Sequence, residues 1–135
     1  MASEINTYAV RITGVAAVDL SAKQFLFVKP AGTTNTLGVD VTPCTGITDL
    51  PIGVLQDTPA AGDLGGVCVS GISKVRVNAS TGITVGNVLG IDNTGAVKAI
   101  AYGTDTTQYV VGKALETAAA GSIAQIYVSL LGPAK

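Results

Sequence analysis

A stretch of twenty residues occurs twice in this chain, at a spacing of 59 residues and without a gap. The first copy begins at Ile52 (IGVLQDTPAAGDLGGVCVSG) and the second at Val111 (VGKALETAAAGSIAQIYVSL), with seven of the twenty positions identical. Each copy predicts a strand, a turn of small residues and a second strand, because β-rich segments flank an Ala-Ala-Gly sequence. A repeated hairpin without reactive side chains indicates an architectural unit rather than a catalytic one.

The alignment of the two copies also predicts turns and faces. It places Gly62 and Gly121 at equivalent turn positions, where glycine tolerates a positive φ and small neighbours let another backbone approach. In the second strand of each copy, aliphatic side chains alternate with a variable position, so we expect the aliphatic face to be the core face. The aliphatic positions are Val67, Val69, Ile126 and Val128, and the variable positions between them are Cys68 and Tyr127.

The whole chain predicts an all-β fold with little helix. Short runs of β-branched residues alternate with glycine-rich turns, and long helical periodicity is missing. We count about eight to ten short strands, a pattern typical of a compact barrel or sandwich. The expected organisation is an N-terminal arm or first strand in residues 1–14, then a single β domain in residues 15–135 with hairpin repeats near residues 52–71 and 111–130.

Two segments allow side-chain directions to be predicted. Residues 25–29 (FLFVK) predict a strand with both phenylalanines on one face, where they anchor the core. Residues 73–77 (SKVRV) alternate between apolar and cationic side chains, as expected of a strand with one solvated face. The side chains expected to point inward are Phe25, Phe27, Val75 and Val77, and those expected to point to solvent are Lys74 and Arg76.

Charged residues make up 13% of the chain, against about 25% in an average soluble domain. We therefore expect a protein that functions against protein partners, which cover part of its surface. The net charge is −1 and the cations are not clustered, which argues against a nucleic-acid partner. The apolar runs are shorter than the roughly 20 residues that span a bilayer, and the N-terminus has no secretory signal, so we expect no membrane partner and assembly in a cytoplasm.

The sequence offers little for catalysis. It contains no histidine, which removes the commonest general base and most transition-metal sites. The nine acidic residues lie mainly in predicted turns, so we expect no catalytic residue, cofactor or metal. Asp57 and Glu116 hold equivalent positions in the two repeats and are either polar strand ends, which we favour, or matched calcium ligands. Cys44 and Cys68 are expected to be buried free thiols, with one disulfide as the alternative.

Two C-terminal stretches carry a resemblance to a known family. STGITVGNVLGIDNTGAVKAIAYGT, followed by YVVGKALETAAAGSIAQIYVSLLG, resembles the small head-decoration proteins, or capsid cement proteins, of tailed bacteriophages. In that family a segment of the form ItaGd-l-id-tGkV-a precedes vGvAle-aaaGe-v-V-l. These pieces match Ile83–Gly86, Leu89–Val97 and Val111–Val128 of this chain.

The resemblance implies a compact β-barrel-like domain of the β-tulip type and a structural role without enzyme activity. It implies a capsid decoration protein, a homotrimer that binds the major capsid protein on the outer surface of the expanded icosahedral head and stabilises the virion. Some relatives add an N-terminal strand to the capsid protein, which makes the first residues the candidate capsid-binding segment. These candidates are Glu4, Ile5, Asn6, Thr7, Tyr8, Ala9, Val10 and Arg11.

Two other functional classes stay open at this point. Another structural module of a virion, such as a tail, fibre or spike base, shares the β-content and the low charge. A soluble enzyme or sugar-binding module needs a pocket with convergent polar groups. The absence of His and Trp disfavours that class, because sugar sites often stack the ring on an aromatic side chain.

Overall fold

The computed structural model describes residues 9–33, 35–101, 103–105 and 107–133. Within these residues it contains nine β-strands and no helix, which confirms the predicted all-β class and strand number. The strands are β1 Val10–Ala16, β2 Phe27–Pro30, β3 Val39–Pro43, β4 Gly53–Leu55, β5 Leu64–Arg76, β6 Val88–Ile91, β7 Val97–Ala99, β8 Tyr109–Ala114 and β9 Ile123–Pro133.

The first five strands form a closed barrel. Hydrogen-bonded neighbours follow the order β1-β3-β2-β4-β5, and β1 also pairs with β5, which closes the ring. β1 and β3 are parallel, whereas the other neighbours in the ring are antiparallel. A barrel this narrow is filled by its own side chains. The buried side chains of this smaller core are Ala16, Leu20, Val28, Val41, Leu55 and Val67.

The remaining strands repeat this ring. From β5 the order continues β9-β8-β6-β7, and a single parallel bridge between Val77 and Val97 closes the cycle. That bridge corresponds to the parallel pair of Ala16 and Val41, which joins β1 to β3. Each core side chain of the first barrel has a buried counterpart in the second. These counterparts are Val77, Ile83, Leu89, Val97, Ala114 and Ile126.

We call residues 10–70 the first unit and residues 71–133 the second unit. β5 belongs to both units, because its residues 64–70 pair with β1 and its residues 71–76 pair with β9. The repeat seen in the sequence covers only the β4–β5 and β8–β9 hairpins. The structural repeat covers every strand of each unit.

Strand register is shared between the two units. Apart from a register shift at Val10, corresponding neighbours meet at equivalent residues. The pair Phe27–Val54 of the first unit corresponds to Val88–Lys113 of the second. In the same way, Val54–Cys68 corresponds to Lys113–Tyr127, and Leu55–Val67 corresponds to Ala114–Ile126.

Two predictions about the repeated hairpins and strand β5 are confirmed. Gly62 and Gly121 have φ angles of 85° and 76°, the left-handed conformation expected in their turns. In the last part of β5 the valines are buried and the cations are exposed, as the alternation predicted. Val75 and Val77 are the buried side chains, and Lys74 and Arg76 the exposed ones.

The predicted position of Phe25 is wrong. β2 begins at Phe27, which is fully buried, whereas Phe25 lies before the strand, is half-buried and has a φ of 65°. Its amide donates to the carbonyl of Leu55, as Gly86 donates to Ala114 in the second unit. Gly86 has a φ of 87°, so Phe25 holds a position where the fold requires a left-handed residue, rare for a bulky side chain.

The predicted core face of β5 is correct only in part. Val67 is fully buried and Val69 is half-buried against the smaller core, but Cys68 on the opposite face is also only 1% exposed. Cys68 belongs to the larger buried cluster, which contains side chains of both units. The middle of β5 is therefore covered on both faces, by its own barrel and by the second unit. In β9, Ile126 and Val128 are buried as expected.

Candidate functional site

The predicted capsid-binding segment lies at the start of the first unit. Its residues 4–8 fall outside the described residues. Ala9 is half-buried and packs against the larger buried cluster. Val10 and Arg11 begin β1 with exposed side chains, and Val10 is 58% exposed. The structure thus joins the end of the candidate segment directly to the barrel.

The first residues of β1 have one open edge. β1 pairs with β5 from Val10 onward, but it pairs with β3 only from Gly14 onward. Between these points Gly38 lies close to the backbone of Thr13. Among the described residues, no strand pairs with Val10 or Ile12 on the β3 side. An open strand edge of this kind can take a strand from another chain.

Three residues of the first unit form what we call its outer row. They are Phe27, Val54 and Cys68, which are register partners on β2, β4 and β5 and point away from the first barrel core. This row is the internal interface between the two units. All three are fully buried and belong to the larger cluster with side chains of the second unit. The face outside the first barrel is therefore as dry as its interior.

The turn between β6 and β7 covers this row. The Phe27 amide donates to the Gly95 carbonyl at 2.9 Å, and a side chain at Gly95 would meet the Phe27 carbonyl oxygen at 2.6 Å. The carboxylate of Asp92 braces the turn by accepting from the amide of Thr94 at 2.7 Å and from Asn78 Nδ2 at 2.6 Å. Burial would raise the pKa of Asp92, but these hydrogen bonds outweigh it and hold the pKa below its usual range.

The outer row of the second unit has no such cover among the described residues. It consists of Val88, Lys113 and Tyr127, the counterparts of Phe27, Val54 and Cys68. Ile72, the counterpart of the exposed Arg11, lies beside Tyr127. Tyr127 is 47% exposed, Lys113 and Ile72 are exposed, and Val88 is half-buried. Here the same strand geometry presents an aromatic, aliphatic and cationic surface.

Cations flank this second outer row. Lys74 and Arg76 point outward from β5, beside Gln125 and Ile123 of β9. An open pocket of about 340 Å³ lies at this end of the sheet and is lined by Phe25, Lys74, Glu116, Ile123, Ala124 and Gln125. Its two charged groups have opposite signs. They do not form the convergent polar set that an enzyme pocket needs.

The matched acids of the repeats serve the backbone. Asp57 Oδ2 accepts from the amide of Gly66 at 2.7 Å, and Glu116 Oε2 accepts from the amide of Gln125 at 3.3 Å. Gly66 and Gln125 are themselves equivalent in the two units. The interpretation as polar strand ends is confirmed, and these contacts leave no pair of acids facing each other.

The cysteines are buried free thiols, as predicted. Burial, together with the charge of Asp49, raises the pKa of Cys44 to about 12. Burial also raises the pKa of Cys68 above its usual value. Both sulfur atoms therefore stay protonated at neutral pH, and a protonated thiol is a poor nucleophile.

A search of the described part of the chain finds no group of three or more His, Cys, Asp or Glu that could hold a metal ion. Nor does it find a helix long and apolar enough to cross a membrane. The buried polar side chains are scattered, and most bond to nearby groups, as Gln56 Nε2 does to Ser73 Oγ at 2.9 Å.

The sequence pointed to the N-terminal segment, which stays a prediction, and did not point to the second outer row. The signal was present in the repeat alignment. Val54 aligns with Lys113 and Cys68 aligns with Tyr127, so an apolar position in the first copy becomes polar or aromatic in the second. Such a change indicates that the first position is covered and the second is not.

Comparison with known proteins places this fold among phage proteins. No curated protein matches the chain. Among solved structures, the head fiber gp8.5 N base of bacteriophage phi29 is similar, with a TM-score of 0.62 and 20% sequence identity, over 90% of this chain and 94% of that chain. At this identity the likeness concerns the fold alone. The family model described as phage cement protein matches residues 6–130. The chain therefore belongs to the phage cement protein family and is a structural component of a phage virion.

Proposed function

We propose that this protein decorates the outside of an expanded icosahedral phage head, where it binds the major capsid protein as a homotrimer and braces the shell. The family match over residues 6–130 carries this proposal. Assembly takes place in the host cytoplasm after the head expands, and the protein acts without catalysis.

The surface chemistry supports a bracing role. With charged residues at 13%, flush contact with another protein requires little desolvation of charge. The exposed apolar side chains include Val10, Leu37, Val85 and Tyr127. They are distributed over both units, so a shell and neighbouring copies can be contacted at the same time. On a symmetric shell, several modest contacts add through avidity.

The N-terminal segment is the proposed capsid anchor. Residues 4–8 precede β1 in the sequence, and at the start of β1 no described strand pairs with Val10 or Ile12 on the β3 side. A segment in this place can pair its backbone with a strand of the capsid protein, which gives affinity through main-chain hydrogen bonds. The division into an arm within residues 1–14 and a β domain in residues 15–135 stays a prediction, although β1 itself runs to Ala16.

Cosedimentation with expanded heads of the phage that encodes this chain tests the proposal. We expect the full chain to pellet with the heads at a fixed copy number. Deletion of residues 2–8 leaves every described strand intact and is expected to abolish binding. The matched control is Leu50→Ser, an exposed side chain far in sequence from the segment, which should bind normally. Unchanged occupancy after the deletion contradicts the anchor, and a full chain that ignores the heads contradicts the function.

A second candidate is the base of a head fibre. It is favoured by the fold likeness to the head fiber gp8.5 N base of bacteriophage phi29. Electron microscopy of the particle separates the two candidates. A cement protein gives compact density on the shell, whereas a fibre base continues into a projecting shaft.

A further inference from the structure

We propose that the outer row of the second unit binds a second copy of this chain, which inserts the connection between its β2 and β3. The contact is head-to-tail: the second unit of one copy receives the first unit of the next. This inference rests on the self-association proposed above and names its surfaces. It does not depend on capsid binding.

The internal interface is the template for this contact. Inside one chain, the outer row of the first unit is covered by the β6–β7 turn of the second unit, through Gly95 on Phe27. The outer row of the second unit has the same register and lies on equivalent strands. Among the described residues no turn lies on this row, and Tyr127 and Lys113 are exposed. The first unit of a second copy carries the equivalent connection between β2 and β3.

The part of the second copy that would reach this row is its β2–β3 connection. By register, residues 31–40 of the first unit, which contain this connection, correspond to residues 92–96, which contain the turn between β6 and β7. The first connection is longer than the turn. The amide of Leu37 donates to Asn35 Oδ1 at 2.9 Å, which fixes the backbone just before β3.

Both proposed surfaces expose apolar groups that water does not favour. On the connection, Leu37 is 63% exposed, and Val39 at the start of β3 is also exposed. At the receiving row, Tyr127 and the neighbouring Ile72 are exposed side by side, as register partners on β9 and β5. Apolar groups on two surfaces of one molecule that can meet in a neighbour favour association.

Charge is compatible with this contact. The row and its flank carry the cations Lys113, Lys74 and Arg76. Residues 30–39 contain no charged residue, so the connection brings no like charge against them. The stems of the lysines can lie along the apolar side chains while their ammonium groups stay in water.

The geometry of the contact determines the kind of assembly. Each copy has one connection and one receiving row, and these are different surfaces, so the interface is heterologous. Such interfaces close into rings when the rotation between copies permits, and a ring of three is the state proposed above. A twofold dimer, in which the same surface meets itself, is a different arrangement.

Cysteine cross-linking tests this arrangement directly. Leu37→Cys and Tyr127→Cys each add one exposed thiol, while the native thiols are buried and protonated. After mixing and exchange of the two full-length variants, a short bismaleimide reagent should yield a cross-linked dimer. Either variant alone should give little of it. Leu50→Cys, which is 59% exposed, replaces Leu37→Cys in the control mixture and should not cross-link to Tyr127→Cys.

Three results would overturn the proposal. The first is cross-linking of Tyr127→Cys to itself, which indicates a twofold contact. The second is no cross-link in the mixture, although light scattering shows an oligomer. The third is a monomer at every concentration. Because the experiment contains no heads, its failure leaves the cosedimentation result unaffected, and the two proposals fail separately.

Discussion

The two units of this chain have the same strands, the same registers and equivalent cores, yet their outer rows differ. In the first unit the row holds Phe27, Val54 and Cys68 and is dry. In the second, Lys113 and Tyr127 occupy the corresponding positions and are exposed. The difference teaches that the barrel itself requires only the inward-facing residues. The type of the outward-facing residues depends on whether another unit lies against the sheet.

The largest expected effect separates these two rows. Phe27→Ala removes a fully buried ring from the contact between the units and is expected to lower the free energy of unfolding by about 3–5 kcal/mol. Val88→Ala removes a half-buried side chain at the equivalent position and is expected to cost about 1 kcal/mol or less. Urea unfolding of both variants measures the contrast.

Equal losses in the two variants would break the comparison, because they would mean that Val88 is as well covered as Phe27. Phe27→Leu keeps most of the buried volume and serves as a milder variant if Phe27→Ala does not fold. Its loss of unfolding free energy should fall between those of the other two variants, at about 1.5 kcal/mol.

The sequence predicted the fold class and the two hairpins, but not the duplication of the whole domain. Connections of different length change the spacing between equivalent residues, so one ungapped alignment finds only part of the repeat. The spacing is 59 residues for Val54 and Lys113, 61 for Phe27 and Val88, and 56 for Val41 and Val97. Register, which depends on backbone pairing, preserves the equivalence where side chains have diverged.

Local sequence patterns also gave wrong predictions at residues whose conformation or burial depends on contacts distant in the sequence. FLFVK fits a strand by composition, but the chain at Phe25 must turn to bring its amide to the Leu55 carbonyl. Cys68 resembles an outward position of a half-buried strand, but the second unit covers it. For the candidate site, the sequence pointed to residues 4–11 through a resemblance. The exposed row at Tyr127 required knowledge of what covers the other unit.

A second prediction concerns a feature that both units share. A side chain at Gly53 would meet the Cys68 carbonyl oxygen at 2.3 Å, and one at Gly112 would meet the Tyr127 carbonyl oxygen at 2.2 Å. Gly53→Ala and Gly112→Ala should therefore each push two strands apart and lower the free energy of unfolding by about 2–3 kcal/mol. Urea unfolding measures both losses.

Gly46→Ala is the control for this pair, because the added methyl group would meet nothing closer than 3.9 Å. It should change stability by less than about 1 kcal/mol. If Gly53→Ala and Gly112→Ala differ strongly, the close approach of strands is not an equivalent property of the two units, and the comparison must be restricted to their registers.

The smallest expected effect tests the turn that joins the units. Asp92 accepts hydrogen bonds from Thr94, Asn78 and Ala96. Its counterpart in the first unit is Ala31, which has no carboxylate. The two correspond because the amide of each donates to the carbonyl at the other end of its connection, Ala31 to Asp40 and Asp92 to Ala96. Asp92→Asn is expected to cost about 1–2 kcal/mol at neutral pH, because a charged acceptor is lost from a buried turn.

The contribution of Asp92 to the free energy of unfolding should decrease at low pH. The pKa of Asp92 in the folded protein is lowered, so its carboxylate contributes stability that is fully present above the unfolded value of about 3.9 and is lost as the pH falls through the folded pKa. The difference in unfolding free energy between the native chain and Asp92→Asn should therefore narrow between pH 5 and pH 2, to be followed by urea unfolding at each pH. A difference that stays constant over this range would mean that the charge of Asp92 does not hold the turn against Phe27, and that the contact between the units depends on packing alone.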